Sequence, residues 1–185
     1  MPYKPAAPVA AEIDPEQMAR DPARLAAFFR QDPSRLEITR MTPELARMLS
    51  GILLRGNETF LAEKLLHNAA KRWPDEVAIT RGWARVLLSL GRPEAARRVL
   101  EKTVAGAPTD ATAQYLLGRA YMSIDPKDPA SQKKILAAFE ATLAVAPDYR
   151  DSDGVGAKEI RAGIDQIRRN RDPSAGSAAG ASSSE

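Results

Sequence analysis

The feature that most constrains this chain is a recurrence. Pro74 and Pro108 stand 34 residues apart, and Pro147 follows after a further 39. The surplus falls within SIDPKDPASQ, Ser123 to Gln132, a proline- and aspartate-rich stretch where an insertion adds little loop entropy. The same step aligns apolar side chains. Leu49 matches Trp83 and Leu117, Leu53 matches Leu87 and Tyr121, and Leu66 matches Leu100 and Phe139. Ala62 matches Ala96 and, after the insertion, Ile135, while Ala69 matches Thr103 and Thr142. The small residues Ser50, Ala84 and Gly118 coincide where two helices must approach closely. A fixed period of this length means stacked supersecondary units, each too small to bury its apolar face alone.

Helix punctuation supports the period independently. Thr42-Pro43 is an N-cap followed by proline at the first helical position. Asn57 and Gly91 sit where the first helix of a pair should stop, Gly106-Ala107-Pro108 closes a second pair, and Asp75 and Asp110 should cap the helices that follow. The expected helices run near 43–55, 58–72, 76–90, 93–105, 111–122 and 131–146. Before them, Asp14-Pro15-Glu16-Gln17 and Asp21-Pro22 each open a shorter helix, the second with Leu25, Phe28 and Phe29 on one face. After them, AKEIRAGIDQIRRN sets Ile160, Ile164 and Ile167 on one stripe with arginines opposite.

This pattern resembles the tetratricopeptide repeat, a helix–turn–helix unit of about 34 residues. QYLLGRAY, Gln114 to Tyr121, is the best copy, with Leu117, Gly118 and Tyr121 in the family's places. The aromatic that usually opens the motif is Ala46, Thr80 and Gln114 here, and Gly118 has no glycine counterpart in the other copies. The resemblance covers Pro43 to Tyr149. It implies an all-α fold: a right-handed α-solenoid of helix–turn–helix repeats with N- and C-terminal capping helices. The expected organisation is a disordered segment at 1–12, a helical cap at 13–42, repeats at 43–76, 77–110 and 111–149, a capping helix within 150–171, and a disordered tail at 172–185.

Composition narrows the function classes. Aromatics are 5% of the chain and apolar residues 44%, which suits closely packed helices better than a β-sandwich. There is no cysteine and a single histidine, His67, so a cysteine- or histidine-built metal site is not expected. No phosphate-cradling glycine loop, Gly-x-Ser-x-Gly or His-Glu-x-x-His occurs. Asp148, Asp151 and Asp153 lie near Gly154 but lack the glycine and terminal glutamate of a calcium loop, and read as turn residues. His67 reads as a surface residue four positions after Glu63, and Trp83 as packing. No catalytic residue, metal site or cofactor is expected. A net charge of +3 is too mild for a nucleic-acid protein, and no apolar run reaches the length of a membrane span. The expected compartment is cytoplasmic as the sequence stands, and periplasmic or lipid-anchored if an upstream signal has been removed.

The remaining candidate is a surface. In stacks of the resembled kind the first helix of each pair lines the concave side, which usually binds peptides. Residues two positions from Leu49, Trp83 and Leu117 point roughly 160–200° away from them. Arg47, Arg81 and Tyr115 form one ladder, Gly51, Arg85 and Arg119 a second, and Leu54, Leu88 and Met122 an apolar third bordered by Arg55. The second helices pair their charges at helical spacing, as Arg97 with Glu101, whereas Arg81, Arg85 and Arg119 have no acid three or four residues away. Like-charge neighbours at that spacing cost only about 0.2–0.5 kcal/mol, so the fold tolerates them. A carboxylate between two guanidiniums would gain about 1.5–3 kcal/mol per bond.

The sequence therefore points to a non-catalytic adaptor or assembly factor. It would hold an acidic or C-terminal-carboxylate segment of another protein in a cationic groove, and a bacterial setting is expected. The peptide-binding residues would be Arg47, Leu54, Arg55, Arg81, Arg85, Leu88, Tyr115, Arg119 and Met122. Alternatives are a scaffold that self-assembles through exposed repeat ends and an anchored subunit of an envelope or secretion assembly. Nucleic acid is not the expected partner.

Overall fold

The structure, a computed structural model, describes residues 21–32 and 41–171. The helix expected at Asp14, part of the N-terminal cap and both expected disordered ends lie outside the described residues. Eight helices occur among the described residues: α1 Pro22–Gln31, α2 Pro43–Arg55, α3 Thr59–Arg72, α4 Val77–Ser89, α5 Pro93–Gly106, α6 Ala111–Ile124, α7 Pro129–Val145 and α8 Ala157–Arg171. The only β-type pairing described is an isolated bridge between Arg150 and Gly156. The chain divides into two compact units, ending at Arg92 and beginning at Pro93. That boundary falls between the two helices of the second expected repeat.

In the first unit each helix packs on the next, and α2 also meets α4. The helix starts are set by side chains. The Asp21 carboxylate accepts from the Arg24 amide at 3.0 Å, and Thr42 Oγ1 accepts from the Leu45 amide at 3.2 Å, each ahead of a proline at the first helical turn. Asp75, expected to cap α4, does not: Glu76 takes the N-cap position without a side-chain bond. The two first helices end alike. Asn57 (φ 61°) donates to Leu54 O and Glu58 to Leu53 O; Gly91 (φ 68°) donates to Leu88 O and Arg92 to Leu87 O. This is the same left-handed Schellman cap twice, 34 residues apart, using the two residue types that best tolerate positive φ. Leu25, Phe29, Leu49, Ile52, Leu53, Leu65 and Ile79 are fully buried between the four helices. Arg30 grips both oxygens of Glu58 at 2.7 and 2.6 Å, tying α1 to the start of α3.

In the second unit α6 packs against α5 and α7, and α8 packs against α7. Flanked on two sides, α6 is buried at every position from Ala113 to Gly118. Asp110 caps it through the Ala113 amide at 2.7 Å, and Asp128 caps α7 through Ser131 at 2.7 Å, so α7 starts two residues before the expected position 131. Leu100, Leu116 and Ile135 are fully buried, with Phe139 beside them at 4% exposure. The Tyr149–Gly156 turn is closed by Asp151, whose Oδ1 accepts from the Asp153 and Val155 amides at 2.8 and 2.9 Å. Glu159 then accepts from the Gly156 amide at 2.9 Å and opens α8. Ile160 and Ile164 are buried while Ile167 is only half-buried.

Candidate functional site

The side chains expected to face a ligand fall into two groups, one in each unit. In the first unit Arg47 and Arg55 on α2 are exposed, and Arg81, Arg85 and Leu88 on α4 are half-buried. Leu54 is half-buried against the core instead of standing clear of it. The Arg55 guanidinium lies over Gly51, where a Cβ would meet Nη1 at an ordinary contact distance of 3.8 Å.

Behind this surface, Trp83 packs against the core, as its register required. Its indole N–H donates to Glu63 Oε1 at 3.1 Å, and its ring lies 4.7 Å from that of His67 at 56°. His67 is thus not the solvated residue expected from its place on a second helix. It is half-buried, with Nδ1 shielded from solvent. Helix register alone could not show that a tryptophan 16 positions later would lie over it.

In the second unit Tyr115, Arg119 and Met122, one residue from each expected ladder, line a single cleft of about 280 Å³. They follow one another at i, i+4 and i+7 on α6, one face of a helix. The opposite wall is α8, through Ile160, Gly163 and Ile167, and Phe139 also lines the space. Met122 stands at the solvent edge, 42% exposed.

Tyr115 departs from expectation. It is 4% exposed, with Phe139 6.0 Å away on one side and Tyr149 5.2 Å away on another. Burial raises its phenol pKa above the ordinary value; the charge of Arg119 opposes this and those of Asp151 and Asp153 add to it. The ring is therefore a wall of the cleft, with little free face to offer.

Arg119 stands over that ring at 5.9 Å, and its Nη1 lies 3.8 Å from Asp153 Oδ2, both side chains remaining partly exposed. Its acid comes from the turn after α7, beyond the reach of any i,i+4 rule. The cleft's cation is thus met by a carboxylate, and the evenly cationic strip expected from the ladders does not continue through this unit. Asp153 and the α8 wall were missed because the turn read as solvated and α8 as a cap. The available signal was Gly163, a gap inside the isoleucine stripe.

A second hollow of about 440 Å³ lies between α7 and α8, lined by Glu140, Leu143, Arg161, Ile164 and Arg168. Both of its arginines are engaged: Arg168 reaches Glu140 at 2.8 Å, and Arg161 donates to Pro147 O at 2.9 Å. No group of three or more potential metal ligands is assembled among the described residues. No described helix is long and apolar enough to cross a membrane.

Residues 61–120 match the family model for the tetratricopeptide repeat. No curated protein matches the sequence. Among solved structures, a MamA RS-1 ArsTM double mutant is similar at 22% identity and a TM-score of 0.53, over 86% of this chain and 88% of that one. MamA 41-end from Desulfovibrio magneticus RS-1 is similar at 22% identity and a TM-score of 0.52, over 86% of this chain and 98% of that one. At this identity the likeness is one of fold, and the fold is an all-α helical-repeat solenoid. Stacked repeats of this kind form extended surfaces suited to contact with other proteins. The segment 61–120 is thus similar to the tetratricopeptide repeat, within an all-α chain of matching fold.

Proposed function

We propose that the chain is a non-catalytic adaptor that holds an acidic segment of a partner protein. The observation that carries this reading is that Tyr115, Arg119 and Met122 line one cleft, with a cation at an apolar floor. Exposed Arg47 and Arg55, with Arg81 and Arg85 beside them in sequence register, add positive charge on the first unit. A carboxylate reaching Arg119 would make a charge-assisted bond of about 2.7–2.9 Å, shorter and stronger than the 3.8 Å contact that Asp153 makes. Partly exposed charge pairs are screened by salt, so affinity should be modest and fall as ionic strength rises.

The test is an array of random-sequence peptides that differ in net charge, probed with the full chain at low and moderate salt. Selective retention of acidic peptides, weakened by salt and lost in the Arg81→Glu/Arg85→Glu/Arg119→Glu variant with helicity intact, is the expected result. Equal retention of basic and acidic peptides would remove the reading.

A further inference from the structure

The cleft between α6 and α8 has a shape and chemistry that the cationic surface alone does not explain. Its lining is mostly apolar, with Met122, Phe139, Ile160 and Ile167; its polar members are Arg119, Gln166 and Glu159, whose carboxylate is held by the Gly156 amide. Its volume of about 280 Å³ lies above the roughly 150 Å³ that holds a benzene and just under the range of about 300–1,000 Å³ typical of drug-sized ligands. That is room for one or two aliphatic side chains and too little for a large cofactor. Gly163 contributes by omission. It lies inside α8, where glycine is disfavoured, and a Cβ there would meet nothing within 4 Å. No neighbour demands a glycine at this position, and any large side chain would enter the cleft.

The chain also carries a template for an occupant. Asp153 places its carboxylate near Arg119, and Val155, two residues later, lines the same cleft. An acidic residue followed closely by an aliphatic one, inside a polypeptide, already meets this site from the edge. The Arg119–Asp153 contact is too long for a hydrogen bond, and both side chains are partly exposed, 38% and 53%, so a better-placed carboxylate exchanges with it at little loss.

We infer that the α6–α8 cleft is a side-chain pocket for an internal acidic–aliphatic pair of a partner peptide. The acid replaces Asp153 on Arg119, and a leucine-sized side chain enters between Met122, Phe139, Ile160 and Ile167. This rests on the acidic-segment reading and adds the aliphatic requirement and the second wall supplied by α8.

The test uses the full chain and three amidated, fluorescein-labelled peptides: Ser-Asp-Gly-Leu-Gln-Ser, the same peptide with leucine replaced by serine, and the same with aspartate replaced by asparagine. Fluorescence anisotropy should show the leucine peptide binding at least about tenfold more tightly than the serine peptide. Gly163→Leu should weaken the leucine peptide by a similar factor, Gly163→Ala by less, and Asp153→Asn should tighten it severalfold. Should Gly163→Leu fail to fold, the methyl resonance of Met122 in the unmodified chain gives the same answer. It should shift with the leucine peptide and stay put with the serine peptide. Equal affinity for leucine and serine peptides, or a Met122 methyl indifferent to both, overturns the pocket while leaving the acidic reading intact. Equal affinity for the aspartate and asparagine peptides overturns the acidic reading itself, and absence of binding by all three overturns both.

Discussion

The ring of Phe139 fills the space that a side chain at Gly118 would need. A Cβ built on Gly118 would lie 2.5 Å from Cε1 and 2.6 Å from Cδ1 of that ring. Gly118 is on α6 and Phe139 on α7, so this contact sets how closely the two helices approach. Alanine is about 1 kcal/mol better than glycine in an isolated helix, but overpacking a core costs about 1–3 kcal/mol. Gly118→Ala should therefore destabilise the protein despite its better propensity. Denaturant unfolding followed by circular dichroism checks this; a midpoint equal to or above that of the unmodified chain would show that Phe139 gives way freely.

The same substitution at Gly163 should have the opposite sign. A Cβ there meets nothing within 4 Å, so propensity acts alone and Gly163→Ala should stabilise the protein by up to about 1 kcal/mol. A parallel unfolding curve measures it. A loss of stability would mean that α8 needs the glycine for a backbone reason, and would weaken the argument that it keeps the cleft open.

A pH effect should arise at Glu101. Burial pushes its carboxyl pKa up, but hydrogen bonds from Tyr121 Oη at 2.8 Å and Arg97 Nη1 at 2.7 Å outweigh this and hold it below the ordinary value near 4.5. A depressed folded pKa contributes stability above the unfolded value and loses it as pH falls through the folded one. The contribution should thus be complete at neutral pH and fade below about 4.5. The side chain is 37% exposed, so screening keeps it under about 1 kcal/mol. Comparing Glu101→Gln with the unmodified chain at pH 6 and pH 3.5 should show the difference shrinking at low pH. A constant difference would assign the effect to packing.

Trp83 gives a test of the first unit. Its indole bond to Glu63 is partly buried, so Trp83→Phe should cost about 1–3 kcal/mol through the lost bond and the unfilled space beside His67. Thermal unfolding reads this directly. An unchanged midpoint would mean that the His67–Trp83 contact carries no stability.

How much of this was legible in the sequence differs from element to element. Capping residues announced the helix starts at Asp21, Thr42 and Asp110, because a carboxylate or hydroxyl before a helical run has one satisfying geometry. The repeat register likewise placed Leu49 and Leu117 in the interior and turned Tyr115, Arg119 and Met122 toward one face. What was not legible came from elements outside the period. The ladders were drawn from the first helices of the repeats, α2, α4 and α6, with no means of knowing that α8 would stand opposite α6 or that the Tyr149–Gly156 turn would bring Asp153 to Arg119. Tyr149 closing over Tyr115, and Trp83 over His67, are long-range contacts of the same kind. Periodicity reports which way a side chain leaves its own helix; it carries no information about which distant segment arrives to meet it.

The account rests on Arg119 being the group that receives a partner's carboxylate. A double-mutant cycle between Arg119→Gln and the aspartate-to-asparagine change in the Ser-Asp-Gly-Leu-Gln-Ser peptide isolates that contact. The account predicts a coupling of about 1.5–3 kcal/mol, weakening as salt is raised. Additive effects of the two changes, with no coupling at any salt concentration, would contradict it.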